Sequence, residues 1–123
     1  MNGTVDPRMI AEIWAVICNR AENPRPESYT TRLLTDQKGI DKVLEKVGEE
    51  STEFILAIKN GVNERTVEET ADLLFHALVG LAHRGLDLGD VAEVLSARMG
   101  RSGVDEKASR GQLLPGSPSL ISG

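Results

Sequence analysis

Residues 40–60 and 63–84 both keep apolar side chains at helical spacing, and only the short link "GVNER" divides them. Two long helices on so short a connection have to pack antiparallel. Gly61 and Gly85 follow the two stretches and suit the position just past a helix end. Whatever else the chain does, it is built on this helical hairpin.

The rest of the sequence supplies shorter helices and no confident strand. A first helix is expected from Pro7 to Ala21, with Asp6 as cap, Pro7 at the first helical position and Ile10, Ile13, Trp14 and Ile17 at helical spacing. After "AENPRPES" breaks that pattern, Ser28 can cap a short second helix, "YTTRLLTD", which turns Leu33 and Leu34 inward. A fifth helix follows "GLDLGD", with Asp87 or Asp90 as cap. The expected fold class is therefore all-α, about five helices forming an antiparallel bundle.

With 123 residues, 40% of them hydrophobic and 27% charged, the chain has enough material for one modest core. Only 3% are aromatic, and a core of Leu, Ile, Val and Ala suits packed helices better than a sandwich of sheets. Residues 1–99 are expected to form the domain. Residues 100–123, half of them Gly, Ser and Pro, are expected to form a flexible tail. A net charge of −5 speaks against nucleic acid as a partner. The single cysteine, Cys18, excludes an intrachain disulfide and a cysteine zinc cluster. No apolar run approaches the length of a membrane span and none has the form of a signal peptide, so the expected location is the cytoplasm.

The hairpin carries its charge in an unusual place. At about 100° per residue, and with Glu49 at zero, Glu53 lies near 40° and Glu50 near 100°, in one sector with Lys42 and Lys46. Ile40, Val43, Leu44, Val47, Phe54, Ile55 and Ile58 occupy the opposite arc. The plain reading of the acidic sector is a wet helix face with Lys–Glu pairs. The fourth helix argues against it. "VEETADLLFHALVGLA" is apolar on nearly every side and is expected to be buried, yet Arg65, Glu69, Asp72, His76 and His83 fall in one narrow stripe of it.

Carboxylates beside a buried helix are unfavourable unless they are paired or bound to metal. Glu50 and Glu53 are spaced i,i+3, as are Glu69 and Asp72. In an antiparallel hairpin the two pairs would face each other as a four-carboxylate cage. Oxygen-only ligation favours Mg²⁺ first and Mn²⁺ second. His76 is either a ligand, a neighbour of one, or a core histidine hydrogen-bonded to Asp72 or another near residue. The fourth helix has more apolar surface than one small protomer can cover, which predicts an oligomer.

"GEESTE" followed at a distance by "ETAD" resembles the acid signature of the MazG-type all-α nucleoside triphosphate pyrophosphatases. "SYTTRLL", "KGIDKVLEKVGEESTEFILAIKN" and "VEETADLLFHALVGLAHRGLDLGDV" narrow the resemblance, over about residues 8 to 98, to the phosphoribosyl-ATP pyrophosphatases (phosphoribosyl-ATP diphosphatases) of histidine biosynthesis. That resemblance implies Mg²⁺-assisted hydrolysis of 1-(5-phosphoribosyl)-ATP to 1-(5-phosphoribosyl)-AMP and pyrophosphate by a homodimer. It implies Glu50, Glu53, Glu69 and Asp72 as metal ligands, with Glu49 beside them or positioning the water, and Lys46 on a phosphate. Lys42, with either Arg32 or Lys38, is expected at the remaining phosphate oxygens. Ser28, Tyr29 and Thr30 either line the substrate end or simply start a helix. Two other readings share parts of this pattern: a housekeeping pyrophosphatase of nucleoside triphosphates, and a non-enzymatic helical dimerisation module.

Overall fold

A computed structural model describes residues 5–100, and within them it contains five α-helices and no strand. The helices are α1 (Met9–Glu22), α2 (Tyr29–Leu34), α3 (Ile40–Lys59), α4 (Asn63–His83) and α5 (Leu88–Met99). The chain up to Leu86 forms one compact unit, α1 to α4, and a second begins at Asp87 and contains α5. The expected tail lies, beyond Gly100, outside the described residues.

Local chemistry explains the boundaries. The Ser28 hydroxyl accepts the Thr31 N–H at 3.2 Å and starts α2, and the Asp87 carboxylate accepts the Gly89 N–H at 3.3 Å and starts α5. α1 starts two residues later than expected. Asp6 takes the Arg8 N–H at 2.9 Å, so Pro7 and Arg8 form a turn ahead of the helix. α2 stops at Leu34. The Thr35 hydroxyl donates to the Thr31 carbonyl at 2.7 Å, and Asp36 takes the Lys38 N–H at 2.9 Å. Both bonds draw the chain into a turn.

α3 and α4 pack antiparallel, and their register can be read from three levels. Glu53 meets Arg65, Glu50 lies beside Glu69, and Val43 faces Gly80, where an added Cβ would stand 3.6 Å from Val43 Cγ1. Going up one helix is going down the other. Ile17, Leu33, Val43 and Val79, one from each helix of the unit, are its most deeply buried side chains.

Two expectations need correction here. The face that α3 turns inward is not the middle of its apolar arc. Val43, Glu50 and Ala57 sit within about 40° of one another on the helix wheel and turn inward. Leu44, Ile55 and Ile58 lie further round and remain 54%, 61% and 52% exposed. Nor is α4 buried on all sides. Glu69, His76, Leu78 and Val79 are covered, but Val67 and Leu74 keep 71% and 43% of their surface. The rotation that brings Glu50 toward α4 is the same rotation that leaves the apolar flank of α3 outside.

Candidate functional site

Three of the four i,i+3 acids of the hairpin come together between α3 and α4, half-buried Glu50, buried Glu69 and exposed Asp72. Glu50, Glu69 and Asp72 each offer a carboxylate oxygen, and these oxygens lie within 4.8 Å of one another. Glu69 is only 6% exposed, and its Oε2 is buried without a hydrogen-bond partner. A buried carboxylate oxygen without a partner is costly, and a cation or a proton would relieve it. The Glu50 carboxyl group beside it, and burial, push the Glu69 carboxyl up to about 7. Three hard oxygen donors, one of them from a buried carboxylate that is only partly paired, form a set that fits a divalent ion of the Mg²⁺ type.

Glu53, the fourth expected ligand, stands outside this group of three. Its Oε2 accepts the Arg65 Nη2–H at 2.9 Å, and the same nitrogen lies 3.4 Å from Glu69 Oε1. On the opposite flank, Lys46 Nζ lies 3.2 Å from Glu49 and 3.7 Å from Glu50. Its hydrogen bond with Glu49 raises the Lys46 pKa, which keeps the ammonium charged. The acid cluster is thus held between two cations, one from each helix.

The other expected substrate residues are spread along α2 and the start of α3. Tyr29 packs on Phe75 with ring centroids 6.2 Å apart, and the Arg32 guanidinium stands 6.0 Å from the Tyr29 ring centre. Burial raises the Tyr29 pKa, so the phenol stays protonated. Ser28 is engaged as the α2 cap, Thr30 is buried, Lys42 is half-buried, and Lys38 reaches away to Glu45 at 3.0 Å.

His76 is 4% exposed and uses both ring nitrogens. Nδ1 is 2.7 Å from the backbone carbonyl of Asp72, and Nε2 is 2.9 Å from the Tyr29 hydroxyl. A carbonyl can only accept, so Nδ1 carries the proton and Nε2 receives the Tyr29 O–H. The histidine ties α2 to the backbone turn of α4 that presents Asp72.

Sequence reasoning missed the Tyr29–His76 bond and the double engagement of Arg65. Arg65 and Glu69 are spaced i,i+4, and that spacing was a usable signal. Tyr29 and His76 are 47 residues apart, with no local pattern to join them.

A family model described as phosphoribosyl-ATP pyrophosphohydrolase matches residues 10–99. A phosphoribosyl-ATP pyrophosphatase of Methanoregula boonei is 65% identical over 94 residues, covering 76% of this chain and 90% of that protein. One of Methanoculleus marisnigri is 59% identical over 93 residues, 76% and 96% of the two chains. A third, of Nitrosospira multiformis, is 48% identical over 105 residues, 85% of each.

Proposed function

Because the chain belongs to the phosphoribosyl-ATP pyrophosphohydrolase family, we infer that the cluster on the α3–α4 hairpin is the active site of a phosphoribosyl-ATP diphosphatase. The reaction is hydrolysis of 1-(5-phosphoribosyl)-ATP to 1-(5-phosphoribosyl)-AMP and pyrophosphate, the second step of histidine biosynthesis. The family match leaves no support for a purely structural dimerisation module. The relatives are phosphoribosyl-ATP pyrophosphatases, which favours phosphoribosyl-ATP over ordinary nucleoside triphosphates as the substrate. The corresponding location is the cytoplasm, in keeping with described helices none of which is long and apolar enough to cross a membrane.

Glu50, Glu69 and Asp72 hold Mg²⁺, with Mn²⁺ as substitute, and Glu53 is the fourth acid within reach. The observation that carries this reading is the buried, unpaired Oε2 of Glu69 beside two further carboxylates. A divalent ion held there supplies neutralisation of phosphate charge and a more acidic water.

The chain's own groups do the positioning. Lys46 brings a charged ammonium to the edge of the cluster, where a phosphate oxygen can replace Glu49 as its partner. Glu49, exposed on the same side, can orient the attacking water. Tyr29, held by His76, and Arg32 above its ring form a platform for the nucleoside end. Attack at the phosphorus next to the nucleoside releases pyrophosphate. Little covalent work falls to the protein in such a reaction, so alignment and electrostatics account for the rate.

The protein acts as a homodimer on this reading. The apolar flank of α3, left outside by its rotation, is the surface that a second copy would cover.

Purified protein given phosphoribosyl-ATP and Mg²⁺ is expected to release pyrophosphate. Asp72→Ala is expected to reduce that release to background with the helical circular-dichroism signal unchanged. The substitution spares the His76 bond, because that bond goes to the Asp72 backbone. Near-normal turnover by this variant would overturn the cage.

A further inference from the structure

We propose that Arg65 is an internal counter-ion that occupies the acid cluster when no divalent ion is bound, and that it must release Glu53 and Glu69 before the cluster loads. The inference rests on the metal reading above and goes beyond it, because it assigns to this arginine control over metal affinity.

Three observations carry it. First, one guanidinium nitrogen serves two acids, Glu53 at 2.9 Å and Glu69 at 3.4 Å, one from each helix. Glu69 therefore has one oxygen turned to the arginine, while the other, Oε2, is buried without a partner. The cation compensates only part of the Glu69 carboxylate, which lies beside the carboxylates of Glu50 and Asp72.

Second, Glu53, the acid outside the converging three, is held by Arg65. A carboxylate that accepts a charge-assisted hydrogen bond from a guanidinium has less of its charge available for another cation. The two cations therefore compete for Glu53 and Glu69.

Third, Arg65 is free to leave. It is about half exposed, and with Glu53, Leu56 and Asn60 it lines an open cleft of about 230 Å³ at the hairpin end. Lys46, the cation on the opposite flank, is more enclosed and pairs chiefly with Glu49, which is not one of the three converging acids. Of the two cations, Arg65 is the one positioned to exchange.

Mg²⁺ binding measured by calorimetry at pH 8.5 tests the proposal with no turnover needed. Arg65→Gln and Arg65→Met are each expected to bind Mg²⁺ about two- to fivefold tighter than the unmodified protein, the upper range of one lost ion-pair competitor. Both variants should also show a larger rise in Tm on adding Mg²⁺. Arg65→Lys, which keeps the charge, is expected to stay within about twofold of the unmodified protein on the same grounds. A purely structural arginine would not yield tighter binding on removal. Unchanged or weaker binding by both neutral variants, with Mg²⁺ still bound by the unmodified protein, overturns the counter-ion role and leaves the metal site standing. Failure of the unmodified protein to bind Mg²⁺ overturns both.

Discussion

Glu69 is held under two opposing demands. Its carboxyl is buried among other acids, which favours a proton, and it belongs to a cluster whose proposed use, holding a divalent ion, requires that proton to leave. Its folded-state pKa, about 7, lies above the ordinary 4.5. Below pH 4.5 the residue is protonated both folded and unfolded, and the stability linked to the extra proton is fully present. Between pH 4.5 and 7 the folded protein retains a proton that the unfolded chain has lost, so this stability declines as pH rises and is gone above about 7. In chelator, the Tm of the unmodified protein should therefore fall relative to that of Glu69→Gln as pH is raised across this window. A constant difference between the two Tm curves would contradict the raised pKa. Saturating Mg²⁺ should abolish the decline, because ion binding takes the place of the proton. The three converging acids were legible in the sequence, since i,i+3 spacing on two antiparallel helices leaves them little choice of direction. The engagement of Glu53 was not, since its partner Arg65 lies on the other helix, 12 residues along the chain.

At the scale of elements, the hairpin is fixed at its ends and adjustable about its axes. α3 and α4 both close with the same glycine device. Gly61 has φ 70°, with its N–H on Ile58 and that of Val62 on Ala57; Gly85 has φ 77°, with its N–H on Ala82 and that of Leu86 on Leu81. These endings were readable in advance because they depend only on local residues. The rotation of α3 was not, because it answers to the surface of α4. Gly80 leaves room for Val43 to approach, and the approach turns Glu50 inward and Leu44 outward. Two alanine substitutions separate the roles of these glycines. Gly61→Ala meets no atom within 4 Å but must keep a left-handed backbone, a cost of about 1–2 kcal/mol. Gly80→Ala places its methyl at ordinary contact distance from Val43 inside a helix, where alanine gains about 0.5–1 kcal/mol. Urea unfolding should show the first variant destabilised and the second unchanged or stabilised. The reverse order would contradict the packing register of the hairpin.

For the whole molecule, the same rotation separates a site from a surface. Glu50, Glu69 and Asp72 come from one chain, so these three acids of the proposed ion site need no second copy to meet. Leu44, Ile55 and Ile58 lie on another flank of α3, more than half exposed, and account for the proposed homodimer. In a twofold interface each substitution counts twice. Ile55→Glu removes two apolar side chains from the contact, at about 1.5 kcal/mol or more each, and brings two like charges together. A loss of about 3 kcal/mol weakens association about a hundredfold. Sedimentation should then show the unmodified protein as a dimer at micromolar concentration and Ile55→Glu as a monomer. The monomeric variant should still gain Tm on adding Mg²⁺, because its acids are untouched. A stable monomer before any substitution would remove the dimer and leave the apolar flank without an explanation. Loss of the Mg²⁺ response together with the dimer would mean instead that the partner chain shapes the acid cluster, and that the hairpin alone is not the functional unit.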